Sequence, residues 1–307
     1  MFLLRDQICL WWGVRFPPDH LEALVAVVDE GTFAAAATAL GITQSAVSQR
    51  IKALESRAGQ VLLVRSAPAQ PTRAGAELVR IGRQLLLLDE EAAAAVTGAA
   101  SAAVLTVEVN ADSLATWFAD VLAAVAAWRG PTLRLEVADQ ATSADMLRAG
   151  SVMAAVTADP VAVQGCSVTP LGTMRYVPVA TPDLLADHRA GRSARWSQMP
   201  VLRFDDVDDL QAQVLRAHGV PGHHAVPTHH VPSSEAFAHA VRAGLGWGVL
   251  PEAQLGTALD DGSLVRLPGA GPVDVSLFWQ RWRIRSTPLD RLTDLVTDAA
   301  RVLRRPR

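Results

Sequence analysis

Apolar residues recur along this chain with two periods, and the change falls near residue 100. Before it the spacing is helical. Leu21, Leu24, Val25 and Val28 share one face of a predicted helix that stops at Gly31. A short helix is predicted over 32–40, with Gly41 as the turn. A third starts at Thr43, where Ala46, Val47, Ile51 and Leu54 form the apolar stripe and Gln44, Ser45, Ser48, Gln49 and Lys52 occupy the remaining surface. A short apolar strand over 61–65 and a proline-bearing loop over 66–71 suit a β-wing, with a plain surface loop as the alternative. Thr72 then opens a long helix to about Thr97. Its residues Ile81, Leu85, Leu88 and Ala92 alternate spacings of four and three, as in a helix paired with its own copy. The competing reading is a helix packed on its own domain. Beyond a small-residue hinge at 98–103, strands are predicted at 104–109, 132–137 and 152–157, with helices between them. A second cycle places strands at 175–180, 201–204, 229–231, 248–250 and 273–279, closed by a helix over 288–303. This alternation argues for a parallel, doubly wound α/β sheet.

Three short helices with a glycine turn before the third make a helix-turn-helix. Gln44 and Gln49 offer the donor–acceptor pair that reads adenine, Arg50 suits guanine or phosphate, and Ser45 and Ser48 adapt to either. Taken alone, an ordinary amphipathic surface helix fits the same pattern. A net charge of -3 over 307 residues does not announce a nucleic-acid binder. Local charge does: Arg50, Lys52, Arg57, Arg65, Arg73, Arg80 and Arg83 face only Glu55 and Glu77 between residues 43 and 83. Thr43, Arg50, Lys52, Arg65 and Arg73 are therefore expected near phosphates, and Gln44, Ser45, Ser48 and Gln49 at bases. Two cysteines, Cys9 and Cys166, supply no disulfide framework, and a reducing compartment is the simpler expectation. No apolar run reaches the ~20 residues that span a bilayer. Residues 1–16 read as an extension, disordered or preceding the true start, and not as a secretory signal.

Phe33-Ala34-Ala35-Ala36-Ala37, followed by Leu40-Gly41-Ile42-Thr43-Gln44-Ser45-Ala46-Val47-Ser48-Gln49-Arg50-Ile51, resembles the N-terminal signature of LysR-type transcriptional regulators. The resemblance implies a winged helix-turn-helix over 17–73 and a dimerisation helix over 74–98 carrying Ile81, Leu85, Leu88 and Ala92. It further implies a two-lobed effector domain like a periplasmic solute-binding protein, with lobe I at 103–174 and 280–307 and lobe II at 175–279. It implies double-stranded operator DNA as partner, assembly as dimer or tetramer, and compatibility with an RNA polymerase contact in the cytoplasm.

Three later stretches carry chemistry. In 110–117, the free N–H groups of a helix start and the hydroxyls of Ser113 and Thr116 can hold a carboxylate, or Asp112 and Ser113 can serve only as caps. In 204–210, four aspartates crowd one strand end, and a cationic ligand would relieve their repulsion. Asp208 and Asp209 are assigned to the helix start there, and Asp205 to the cleft. Ser233-Ser234-Glu235 opens a further helix and is also a good cap. Together with the DNA-reading helix, these stretches resemble the lysine/arginine-responsive branch of the family, which controls basic amino acid export. That implies L-lysine or L-arginine as effector, with Asp112, Ser113, Thr116, Asp205, Ser234 and Glu235 as contacts. A different small effector is the alternative. A solute-binding protein on the lobes alone would lack the basic head. An enzyme is not expected, because no nucleophile elbow, P-loop or complete dinucleotide fingerprint is present. No cofactor is expected. His218, His223, His224, His229 and His230 lack fixed ligand spacing, so no metal is expected either.

Overall fold

The computed structural model describes residues 15–98, 103–128, 130–137, 140–221 and 226–305. The predicted extension as far as Val14, His223 and His224, and most of the small-residue hinge lie outside the described residues.

Helix α1 (Pro18–Glu30) starts on a proline and ends at Gly31 with φ of 72°, a left-handed stop that glycine tolerates for lack of a Cβ. Thr32 caps α2 (Phe33–Ala39) by accepting the Ala35 N–H at 3.1 Å. Thr43 caps α3 (Gln44–Ala58) by accepting the Ala46 N–H at 3.2 Å. Strands β1 (Leu63–Val64) and β2 (Gln70–Pro71) pair antiparallel as a short wing. Thr72 then caps α4 (Arg73–Thr97), a helix of 25 residues. Leu24, Val27, Val47, Ile51, Leu54 and Leu62 form the head's core, joined by Leu78 and Val79 of α4. Further along, Leu87 of the same helix enters the core of the following domain. One rod is therefore anchored in both. Arg83 bonds Asp29 of α1 and Glu91 accepts the Thr287 N–H at 3.0 Å, so polar ties reinforce both anchorages.

The α/β part begins with β3 (Val104–Glu108), α5 (Ala111–Leu114), α6 (Phe118–Trp128), β4 (Thr132–Glu136), α7 (Gln140–Ala149) and β5 (Ala154–Thr157). The long β6 (Cys166–Ala180) leads to α8 (Pro182–Asp187), the small hairpin β7 (Arg189–Ala190) and β8 (Ser193–Ala194), then β9 (Val201–Arg203), α9 (Leu210–Ala217) and β10 (Thr228–His230). After them come α10 (Ser234–Arg242), β11 (Gly248–Pro251), α11 (Glu252–Leu255), β12 (Val265–Arg266), β13 (Val273–Trp282) and α12 (Thr287–Ala299). The main sheet runs β11-β6-β13-β5-β3-β4, with β12 also on β6.

The expectation of a parallel sheet needs correction. β3 is parallel to β4 and β5, and β9 to β10, but β13 is antiparallel to both β5 and β6. Strand–helix alternation counts elements and says nothing of direction when a strand returns from another lobe. β6 carries the chain out, with its far end paired to β11, and β13 brings it back. Both strands are continuous through residues 174–175 and 279–280, so the lobes share them. Trp279 and Trp282 are fully buried on β13, and the Trp279 indole N–H donates to Thr293 of α12 at 3.1 Å.

Candidate functional site

The head presents one polar helix face. Gln44, Ser45, Ser48, Gln49 and Lys52 follow helical spacing on α3 while Val47, Ile51 and Leu54 are buried behind them. Thr43, Gln44, Ser45, Gln49 and Lys52 are exposed, as are Arg65 beside the wing and Arg73 at the start of α4. Thr43 and Ser45 share a hydroxyl hydrogen bond of 2.9 Å at the helix start. The Arg65 guanidinium lies 5.6 Å from the Phe33 ring centre, which aims it along the head. Arg50 differs from the rest: it is half-buried and turned toward α1, donating to the Asp19 carbonyl at 3.4 Å and facing its carboxylate at 3.5 Å. On α4, Ile81, Leu85 and Leu88 are 39, 41 and 39 % exposed and Ala92 is exposed beside them. This leaves an apolar stripe exposed on a helix whose Leu78, Val79 and Leu87 are buried on another face.

A cavity of about 520 Å³ opens between the lobes. Asn110 and Asp112 line it from the start of α5; Phe204, Asp205 and Asp208 from the loop after β9; Ser234, Phe237 and Gln254 from α10 and α11; and Tyr176 from β6. Ser234 Oγ donates to Asp112 Oδ1 at 2.6 Å, a bond between lobes, and Gln254 Nε2 donates to Ser234 Oγ at 2.8 Å. Burial pushes the Asp112 carboxyl above its ordinary value of 3.8, against hydrogen bonds from Ser234 and Tyr176. Burial also raises Asp208. The N–H groups of Leu210 and Phe204 oppose that shift, and the charges of Asp112 and Asp205 add to it. Burial pushes the Tyr176 phenol well up, with Asp112's charge as a further cause.

The acidic loop is folded by its own contacts. Asp205 Oδ1 accepts the N–H groups of Val207 and Asp208 at 2.9 and 2.8 Å. Arg203 is buried beneath and donates to the carbonyls of Asp206 and Asp208 at 2.9 Å each. Arg216 grips Asp209 bidentately at 3.0 and 2.7 Å, and that hydrogen bonding holds the Asp209 carboxyl below its ordinary value. Among the described residues, the charges in the wall without an ion-pair partner are therefore Asp112, Asp205 and Asp208.

Of the six effector contacts expected from sequence, Asp112, Asp205 and Ser234 reach the cavity wall. The other three do not line it. Ser113 is fully buried beside it, the Thr116 hydroxyl turns back to the Asp112 carbonyl at 2.6 Å, and Glu235 lies exposed on α10. A helix start exposes only part of its first turn to a cleft, and spacing alone did not say which part. Asp208 is a further correction. It does serve the start of α9, accepting the Leu210 N–H at 3.1 Å, but it also faces the cavity. Tyr176 and Gln254 gave no local signal, because their neighbours in space are far away in sequence.

This buried acidity has a pH consequence. A carboxyl whose folded value is raised favours its neutral form in the fold. Its stabilising contribution is full below 3.8 and is lost as pH climbs through the raised values of Asp112 and Asp208. A bound cation favours the ionised forms instead. The gain in melting temperature from a cationic ligand is therefore expected to grow as pH rises above 3.8. Melting curves with and without ligand across that range check it; a gain that shrinks with rising pH contradicts the assignment.

Comparison with known proteins agrees with this geometry. Residues 18–76 match the family model "Bacterial regulatory helix-turn-helix protein, lysR family". Residues 99–301 match "LysR substrate binding domain". The lysine export transcriptional regulatory protein LysG of Corynebacterium efficiens is 49 % identical over 288 residues, covering 92 % of this chain and 98 % of the relative. Full-length LysG of Corynebacterium glutamicum with bound effector Arg superposes with a TM-score of 0.81 at 44 % identity, covering 94 % of this chain and 100 % of that one. ArgP of Mycobacterium tuberculosis gives 0.84 at 42 % identity, covering 94 % and 98 %. With a helix-turn-helix head matched to one model and a two-lobed domain, lined by carboxylates, matched to the other, this chain belongs to the LysR family of DNA-binding transcriptional regulators.

Proposed function

We propose that the chain senses a basic amino acid, L-lysine or L-arginine, and thereby controls transcription of an amino acid exporter gene. The observation that carries this is the cavity wall, where Asp112, Asp205 and Asp208 meet and, among the described residues, no cation pairs with them. A ligand with one carboxylate and two cationic groups matches such a wall. Relatives called lysine export regulators, and a LysG that holds Arg as effector, favour the same class. Ligand binding would shift the balance between lobe arrangements, and α4 would pass the change to the head. The head would hold operator DNA through Gln44, Ser45, Ser48 and Gln49 at bases, and through Thr43, Lys52, Arg65 and Arg73 at phosphates. Arg50 would act from its tie to α1. The stripe Ile81, Leu85, Leu88 and Ala92 would pair two copies, with residues 17–73 as head and 74–98 as dimerisation helix. A protein that must meet chromosomal DNA would work in the cytoplasm.

A thermal-shift screen of the purified protein against all amino acids tests the effector class, because a ligand that binds the native state raises its melting temperature. Lysine and arginine are expected to lead, and a screen led by an acidic or apolar amino acid rejects the reading. For the head, Gln44→Ala is expected to weaken operator binding by about 1–3 kcal/mol and to relax one base position. Fluorescence anisotropy with operator and random duplexes measures this. Undiminished discrimination by the variant removes Gln44 from the base contacts.

A further inference from the structure

A second cavity, of about 530 Å³, lies on the reverse of the strands that wall the first. Successive side chains on a strand point to opposite faces. On β6 and β13, Tyr176 and Val275 line the inter-lobe cavity. Their neighbours Arg175 and Asp274, opposite each other across the two strands, line the second, together with the cross-strand pair Thr173 and Ser276. The end of the chain supplies the rest. The Thr173 N–H donates to the Arg304 carbonyl at 2.8 Å, and the Arg304 N–H returns a bond to the Thr173 carbonyl at 3.1 Å. Gly172, with φ of 147°, lets the chain come this close: a Cβ there would meet Leu303 Cβ at 2.7 Å and the Arg304 carbonyl oxygen at 3.0 Å. The backbone thus lays Arg304 and Arg305 along the same cavity. Three guanidinium groups share it, and their repulsion is only partly answered. Arg175 donates Nε and Nη2 to Asp274 at 2.7 Å each, and Arg304 Nη2 donates to Glu252 of α11 at 2.6 Å. Arg305 has no carboxylate partner among the described residues. Three cations against two carboxylates leave one positive charge in surplus. Arg175 keeps its Nη1 edge and Arg304 its Nε and Nη1, and the hydroxyls of Thr173 and Ser276 add further donors.

We propose that this cavity is a second ligand site, which takes the phosphate group of a small metabolite. Its free edges are donors and its surplus charge is positive, so the partner that completes it is an oxyanion. A guanidinium fork matches carboxylate and phosphate alike. Phosphate suits three guanidiniums better, because it brings about −1.5 to −2 charge at pH 7 and three acceptor oxygens, where a carboxylate brings one charge and two oxygens. A cavity of this size takes a ligand larger than a lone phosphate. Orthophosphate and a phosphate carried on a larger molecule share the chemistry, and the titrations below tell them apart. The site is independent of which effector the inter-lobe cavity takes. Its occupant would lie behind the strands that carry Tyr176 and Val275, with one layer of sheet between the two ligands.

Calorimetric titration of the full-length protein with orthophosphate, pyrophosphate and ATP, at constant ionic strength, tests this. At least one is expected to bind, with a single site per chain. Tighter binding of ATP points to a phosphate on a larger metabolite, and tighter binding of orthophosphate to the free ion. Arg305→Ala changes an exposed side chain near the end of the chain, where folding is not at risk. It should weaken the binding about tenfold, the loss of one hydrogen bond to a charged group. Asp274→Asn removes a carboxylate that repels the anion and competes for Arg175, so it should tighten the binding about threefold or more. No binding of any of the three probes, or binding that both variants leave unchanged, overturns the site. Binding that Arg73→Ala abolishes and Arg305→Ala spares belongs to the DNA-binding head, and overturns it as well.

Discussion

Gly75→Ala is expected to destabilise the DNA-binding head by about 3 kcal/mol or more, although the same change on an exposed helix would stabilise it. Gly75 lies in the first turn of α4, where replacing glycine by alanine normally gains about 1 kcal/mol of helix propensity. Here a Cβ would sit 1.9 Å from the Leu62 carbonyl oxygen, with the Leu62 carbonyl carbon at 2.9 Å. That oxygen cannot move aside freely. It accepts the Thr72 N–H at 2.9 Å, and Glu55 of α3 holds the Leu62 N–H at 2.9 Å from the other side. Either α4 lifts off the wing or the Thr72–Leu62 bond breaks, and both loosen a core to which Leu62, Leu78 and Val79 contribute. Urea unfolding followed by circular dichroism, with operator binding beside it, measures the effect. A variant as stable as the parent would mean that α4 and the wing approach each other less closely than described.

Asp205→Asn carries the second large effect, on ligand response. Its Oδ1 organises the loop by accepting the Val207 and Asp208 N–H groups, and an asparagine oxygen can accept both. The fold is therefore retained while one of the three carboxylates facing the cavity is neutralised. A hydrogen bond to a charged group is worth about 1.5–3 kcal/mol, so lysine and arginine should bind roughly ten- to hundredfold more weakly. Operator binding in the absence of effector should stay near the parental level, because the core of the head is built from α1 to α4 and the wing without this loop. An effector titration of operator binding checks both statements. A parental response to arginine in this variant would remove Asp205 from the ligand's contacts.

Much of the head was legible in the chain because its determinants are local. Thr32, Thr43 and Thr72 each precede a helix whose third residue they cap, Gly31 ends a helix, and the stripe of Val47, Ile51 and Leu54 has the period of a single turn. The polar face of α3 follows from the same spacing. The acidic stretch 204–210 was equally visible, and Asp112 could be named as a candidate contact without being told apart from a plain cap.

What the sequence could not decide is which of these groups meet. The direction of β13 depends on a return from the second lobe, which leaves no trace in its own alternation. Asp112 and Ser234 are 122 positions apart and bond only because β6 and β13 fix one lobe against the other. Tyr176 and Gln254 enter the wall by the same route, whereas Ser113, Thr116 and Glu235 stay off it. Local hydrogen bonding and periodicity are written within a few neighbouring residues. A cavity is made of contacts between distant segments, and only the packed fold brings those segments together.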